Sequence, residues 1–364
     1  MLGTSAYERG LRATDISIAE QGTGIVARGR EGITVRAAFI KLARNETAAR
    51  EIACIANARA AASSRTTRFR ATSLDASDRD QTARLLQRIA ARVVVNCASV
   101  QSPWEAAHTP SAWTRLLAEA GFGLALPLHA VLAREVACAI RSAGVPAVFV
   151  NACYPDAVNP VLYAEGIPVA CGVGNVATLA AALHAVLQPR PGVRLRVLAH
   201  HSHLHAPADP RDELRAWLDD QPVQDVGRLL AAHRACGREE LNAVTGHTAA
   251  LLLARLAADA EVYADLPGPL GLSGGYPVRI RDQQITLDLP PAITRKEAIA
   301  WQQRMAELDG VVVTPSAGIR FGRRAASALA AYLPGNSAEH PTDSIPQLTS
   351  QLLALRDTLR AKPA

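Results

Sequence analysis

Residues 193–207 read Val193-Arg-Leu-Arg-Val-Leu-Ala-His-His-Ser-His-Leu-His-Ala-Pro207, an apolar run followed at once by four histidines. The pattern predicts a strand that carries His200, His201, His203 and His205 out at its carboxyl end. In α/β folds, ligands bind outside that edge of the sheet. On a continuing strand His201, His203 and His205 share one face and His200 takes the other. Three uses fit such a cluster. His201 can act as general acid and base toward a carbonyl oxygen, alternating imidazoles can hold a metal, or the histidines can form a polar strand exit packed at a domain seam.

The surroundings favour an α/β frame. Val93-Val-Val-Asn-Cys-Ala98 is a short apolar run rich in β-branched residues, which suits a parallel strand covered on both faces. Further strands are predicted at 69–75, 147–151 and 166–172, and helices at 79–91, 127–141 and 175–187. A polar loop over 99–110 follows the 93–98 strand. The stretch 35–60 reads more helical than extended. Strands alternating with helices at this spacing imply βαβ units and a parallel sheet. The second half changes character. Helical stretches are expected at 212–218, 226–235 and 245–260, an antiparallel pair at 278–281 and 284–290, a capped helix from Thr294 to 308, and a last helix over 345–359. A parallel-sheet domain over residues 1–180 and an α+β domain over 181–364 are expected.

Composition excludes several classes. The 364 residues are 49% hydrophobic and 20% charged, the mix of a chain that buries a sizeable core. The net charge of +6 is scattered over arginines with only 4% aromatics, so no basic stripe marks a nucleic-acid partner. The six cysteines form no CxxC pair, and free buried thiols in a reducing cytoplasm are expected, Cys153 and Cys171 among them. No leader and no apolar run of bilayer length is read, so neither export nor membrane spanning is expected.

Gly22-x-Gly24-x-x-Ala27 fits the glycine turn that cradles a dinucleotide's pyrophosphate, with a possible strand at 16–19 before it. Arg44, about twenty residues on, suits the 2′-phosphate of NADP. A glycine-rich, loosely ordered segment reads the same way.

The order of these elements resembles the lactate/malate dehydrogenase-like superfamily over residues 40–312. The residues that carry the resemblance are Val93 to Pro103, Asn151-Ala-Cys-Tyr-Pro-Asp156, Gly172-Val-Gly174, the histidine segment 197–207 and Gly246-His-Thr248. The resemblance implies a Rossmann-like domain followed by an α+β substrate domain. It implies an NAD(P)-dependent oxidoreductase acting on a small carbonyl or hydroxyl substrate, with NAD or NADP as cofactor, assembled as a homodimer or homotetramer. Its catalytic set falls on His201, Asn151 and Thr178. Gly22, Gly24, Ala27, Arg44, Ser99 and Asn151 fall on the cofactor, and Arg115, Asn175, His247 and Thr248 on the substrate, with no metal ligand in this set. It places the 99–103 segment at the start of a mobile loop and the family's catalytic aspartate at Thr178. The family's carboxylate-binding arginine falls near Ala181. Asn151, Asn175 and Thr248 also have purely structural uses, as a strand-end amide and as helix caps. Two rival readings stay open. Family-4 glycosidases resemble this fold and use NAD with a metal held by cysteine and histidine, here Cys171 and His201. A catalytically silent nucleotide-binding module accounts for the missing aspartate and arginine.

Overall fold

The computed structural model describes residues 23–27, 36–41, 46–62, 68–257, 260–314, 318–335 and 337–364. Its centre is a six-stranded sheet of β1 (Thr23–Ala27), β2 (Arg36–Lys41), β3 (Arg68–Ser73), β4 (Val93–Asn96), β5 (Val148–Asn151) and β6 (Cys171–Gly172), in spatial order β3-β2-β1-β4-β5-β6. The β2–β3, β4–β5 and β5–β6 pairs are parallel, giving the α/β frame expected. The stretch 35–60, read as mostly helical, divides into β2 and the Glu46–Ala62 helix. The 166–172 strand shortens to its last two residues.

β1 departs from expectation. It runs antiparallel to both neighbours, with Gly24 opposite Ile40 on one side and Asn96 on the other. Gly24 and Ala27 therefore sit in a strand paired on both edges, not in a strand-to-helix turn. Ile25 and Val26 between them are β-branched and favour extended backbone, which outweighs one glycine. Gly22, Arg44 and the strand read at 16–19 lie outside the described residues.

The triple valine of β4 works as its composition demands. Val94 joins a core with Leu86, Trp113, Leu116 and Phe149 on one face. Val93 and Val95 join Val150, Cys171, Leu253 and Tyr276 on the other. Successive side chains alternate faces, and both faces are covered.

Three small antiparallel sheets make up the rest. The first holds β7 (Leu195–Leu198), β8 (Arg215–Leu218) and β9 (Gln221–Pro222). The second holds β10 (Val262–Pro267), β11 (Gly275–Arg281) and β12 (Gln284–Leu287), and the third β13 (Val311–Val313), β14 (Ile319–Phe321) and β15 (Glu339–His340). β8 lies where a helix is expected: Trp217 pairs across to Arg196 and is buried in the core. The antiparallel pair read at 278–290 is β11–β12. Asp282 and Gln283 join it, both at positive φ as a tight two-residue hairpin requires. Thr294 caps the Arg295–Asp309 helix through the backbone of Glu297, as read. Residues beyond Val311, including Leu348, Leu352 and Leu359 of the C-terminal helix (Ile345–Arg360), pack into the same core as Leu126 and Leu128 of the first half. Phe122–Ala143 has the length and hydropathy to cross a bilayer, contrary to the sequence reading, but 83% of its most apolar window is buried inside the fold. All six cysteines are free thiols, Cys54 and Cys236 being exposed.

β4 and β5 end on a pair of asparagines in register, Asn96 and Asn151. Asn96 Nδ2 donates to Asn151 Oδ1 at 3.1 Å, and Asn151 Nδ2 donates to Asn159 Oδ1 at 2.9 Å and to the Cys153 carbonyl at 3.0 Å. The Cys153 N–H returns to Asn151 Oδ1 at 3.1 Å. Asn151 is fully buried and its amide is spent on these bonds. Asn151→Ala leaves three buried polar groups without a partner, and a loss of about 3 kcal/mol in unfolding free energy is expected, read by urea denaturation. A loss under about 0.5 kcal/mol would show that the brace contributes nothing.

Candidate functional site

A cleft of about 1230 Å³ opens beyond the carboxyl ends of β4, β5 and β6, where Cys97, Ala152 and Val173 line it. The histidine segment forms its far wall, but not as a strand. β7 stops at Leu198, because Ala199 spends its backbone N–H and carbonyl on Gly275 of β11. His201–Leu204 then winds into a 3-10 turn, with His200 Nδ1 accepting from the Ser202 N–H. The alternation of a strand is therefore lost, although His201, His203 and His205 all belong to the cleft lining. His203 stacks on Trp301, with ring centroids 5.4 Å apart, and its Nε2 meets the Asp212 carbonyl at 2.8 Å, which makes it structural.

His201 turns into the cleft. Its Nε2 lies 2.9 Å from Oδ2 of Asp309, the last residue of the Arg295–Asp309 helix. The Tyr154 hydroxyl donates to the same oxygen. The backbone N–H of His201 donates to Asp156 Oδ1 at 3.0 Å. Phe122 and Tyr154 flank the imidazole, with centroids 5.3 and 5.0 Å away. With Nε2–H given to the carboxylate, Nδ1 is the ring nitrogen with no bond among the described residues.

The electrostatics follow from this geometry. Burial pushes His201 toward the neutral form, but the Asp309 carboxylate, through charge and hydrogen bond, outweighs it and raises the pKa above the usual histidine value. Burial pushes Asp309 up, and the His201 cation with the His201 and Tyr154 hydrogen bonds overrides this and holds it at about 2. Burial and the neighbouring Asp309 keep the Tyr154 phenol protonated. Asp156 is raised, chiefly by burial. His129 also lines the cleft, its Nδ1 2.8 Å from Ser99 Oγ. Burial, with the His201 cation nearby, drives it down to about 3, so it is neutral.

Two glycines let Asp309 reach this position. Gly121, at φ +98°, places its α-carbon where an added Cβ would lie 2.6 Å from the Asp309 carbonyl oxygen. A Cβ on Gly123 would lie 2.7 Å from the Val311 nitrogen. Any larger residue at either position pushes the Phe122 turn off the end of the helix.

The remaining expected site residues divide. Ser99, Asn175 and His201 line the cleft. Asn151 does not, being closed in the asparagine brace below the floor. Thr178 is buried and its hydroxyl meets Thr245 Oγ1 at 2.7 Å, so it orients no histidine. Thr248 bonds back to the Thr245 carbonyl within its helix. Arg115 is exposed on the Ala112–Ala120 helix, and neither it nor His247 lines the cleft. Cys171 is buried in β6, outside the cleft lining. The sequence reading missed Asp309, Tyr154 and Asp156 as site residues. One signal for Asp309 was present: an acid in the last turn of a helix opposes the helix dipole and calls for a local reason.

Asp309→Asn removes the counter-charge, so burial wins and His201 is expected to titrate below its usual value, as read by NMR of the ring protons. A raised histidine pKa stabilises below the unfolded value of about 6.5, and that contribution is lost as pH rises through the folded value. The variant therefore loses more stability at pH 6 than at pH 9, about 2 kcal/mol at the lower pH. Equal losses at both pH values, or an unmoved His201, would rule out the pair. Tyr154→Phe leaves Asp309 to His201 alone and is expected to raise the His201 pKa further.

No family model and no curated protein matches the chain. Among solved structures it is similar to a malate dehydrogenase from Picrophilus torridus, at 11% identity over 82% of this chain and 91% of that one, with a TM-score of 0.47. It is similar to a lactate dehydrogenase from Eimeria maxima solved with NADH and oxamate, at 13% identity over 75% and 84%, with a TM-score of 0.43. A lactate dehydrogenase from Cryptosporidium parvum is similar at 12% identity over 87% and 90%, with a TM-score of 0.41. Lactate and malate dehydrogenases are the group that the sequence resembles. At such identities and scores the likeness assigns no role to any residue of this chain.

Proposed function

We propose that this chain is an enzyme that passes a proton to and from the oxygen of a small carbonyl or hydroxyl compound bound in the cleft. The observation that supports it is the buried His201–Asp309 pair, which leaves Nδ1 of the ring for a ligand. Asp309 fixes the tautomer and stabilises the imidazolium. The raised His201 pKa favours the charged ring more than in a free imidazole, and in that form Nδ1–H can protonate a carbonyl oxygen. In the reverse direction the neutral ring would take the hydroxyl proton through Nδ1 as a hydride leaves the adjacent carbon for an acceptor of the nicotinamide class, so the proton transfer needs that partner to balance. Tyr154 and Phe122 wall the ring against water.

The specific form that the sequence resemblance implies is an NAD(P)-dependent oxidoreductase, in which a nicotinamide would supply or take the hydride. The described residues do not fit the pyrophosphate turn such a cofactor needs. Gly24 to Ala27 is paired strand, and it runs against the strands beside it. The proton transfer is accordingly derived from His201 alone.

Two measurements test the reading. NADH and NADPH are titrated by fluorescence, and turnover is screened with small 2-oxo acids, ketones and aldehydes. In the reducing direction the rate is expected to fall as pH rises through the raised His201 pKa. His201→Gln is expected to lower it by about 100-fold or more. Absence of binding by either nucleotide at millimolar concentration rejects the dinucleotide form, and full activity in His201→Gln rejects the acid–base role.

A second reading has its own observation. Ligand atoms of His200, His201 and Asp309 lie within 4.8 Å of one another, close enough to hold a divalent ion. Such an ion would replace the His201–Asp309 hydrogen bond, and Cys171 would take no part. Stoichiometric metal that is lost in His200→Ala would favour it over the acid–base pair. The silent-module reading calls for a cleft filled by side chains, and this one is open.

A further inference from the structure

The wall of the cleft beside Ser99 is formed by residues 99–104 and braced by the C-terminal helix, whose Arg360 joins the lining. Arg360 grips Glu105 with both arms of its guanidinium, Nε to Oε1 at 2.7 Å and NH2 to Oε2 at 2.5 Å. Arg356 NH1 donates to the Val100 carbonyl at 2.7 Å. The Ala112 N–H donates to the Lys362 carbonyl at 3.1 Å, closing the far end of the 99–110 loop, which, unlike the sequence expectation, contains a helical turn at Glu105–His108. From Glu105 the bonds continue inward. Gln101 Nε2 donates to Glu105 Oε2 at 2.9 Å, Trp113 Nε1 donates to Gln101 Oε1 at 3.1 Å, and the Gln101 N–H donates to Ser99 Oγ at 3.1 Å. Ser99 meets His129 in the cleft.

The chemistry makes this a clamp and not an incidental contact. The Glu105 side chain is only 6% exposed, and Arg360 is its ion-pair partner. Burial alone would raise its pKa, and the hydrogen bonds from Arg360 and Gln101 hold it down. A buried carboxylate that loses the Arg360 fork keeps the charge of Arg356 but loses both guanidinium hydrogen bonds, and reaching water requires the segment that carries it to move. The helix behind the clamp is itself fixed, since Leu348, Leu352 and Leu359 lie in the core beside Leu126 and Leu128.

We propose that the C-terminal helix holds the 99–110 loop as a fixed wall of the cleft, with Arg360 and Arg356 as positioning residues for Ser99 and Gln101. The segment that the sequence reading set at the start of a mobile loop is thus a built surface, and ligands enter without it opening. None of the tests below uses turnover, so the proposal stands or falls apart from the acid–base reading.

Amide hydrogen exchange on the full chain is the measurement. In the native protein the backbone over 99–110 is expected to exchange as slowly as the Ala112–Ala120 helix. Arg360→Gln strands the carboxylate and is expected to speed exchange in the loop about tenfold or more, leaving the β10–β12 hairpins unchanged. The Glu105→Gln/Arg360→Gln double variant removes both charges and is expected to exchange more slowly there than Arg360→Gln alone, since unpairing a buried charge costs more than deleting the pair. Arg356→Gln provides a second, milder release at Val100, and the His129 ring resonances should shift in each loosened variant. Fast loop exchange in the native protein, an even speed-up across the whole molecule, or a double variant no better than the single would each overturn the clamp.

Discussion

The cleft depends on one carboxylate held where it is least welcome. Asp309 ends a helix, where the backbone dipole opposes a negative charge by about 0.3–1 kcal/mol. It is also buried, which costs several kcal/mol for an unpaired ion. Two donors on one oxygen, His201 and Tyr154, answer both penalties, each charge-assisted bond being worth about 1.5–3 kcal/mol. Because the strongest donor is itself titratable, ionisation of the acid and protonation of the ring support each other. Neither charge is stable there without the other.

That coupling explains why the surrounding backbone is so constrained. The turn carrying Phe122 lies against the helix end through Gly121 and Gly123, with no room for a side chain at either position. Tyr154 takes the left-handed region at φ 46°, uncommon for a tyrosine, and from there its hydroxyl reaches Asp309. Asp156, two residues on, accepts the His201 backbone N–H and sets the ring's height in the cleft. The segment from Asn151 to Asp156 thus serves two ends. Its first residue locks the strand ends together, and its later ones hold the His201–Asp309 pair.

Much of the frame was legible because short-range pattern decides it. The valine run of β4, the capped helix after Thr294 and the hairpin at Asp282-Gln283 are local features, and they formed where expected. What local pattern does not encode was misread. Ile25 and Val26 say extended, but nothing in five residues says which way the strand runs, and β1 runs opposite to a dinucleotide-binding strand. The histidine segment does line the cleft, although its strand belongs to the antiparallel β7–β9 sheet and not to the parallel one. Its geometry was hidden, because the bridge from Ala199 to Gly275 spans 76 residues. The partner of His201 was hidden for the same reason, lying 108 residues away on a different helix. Thr178, where the resemblance put that partner, is committed to Thr245.

Two imidazoles share this cleft and the same aromatic neighbours, yet their pKa values move in opposite directions. Phe122 lies 5.2 Å from the His129 ring and 5.3 Å from the His201 ring, and Tyr154 lies 5.9 and 5.0 Å from them. Burial penalises the cation at both. The difference is the partner: Ser99 offers His129 a dipole, and Asp309 offers His201 a full charge. A dipole does not repay the desolvation of an imidazolium, and a carboxylate at hydrogen-bond distance does. Once His201 is charged, its field pushes His129 further toward neutrality. The second ring stays neutral, and its buried Nε2 has no hydrogen-bond partner among the described residues.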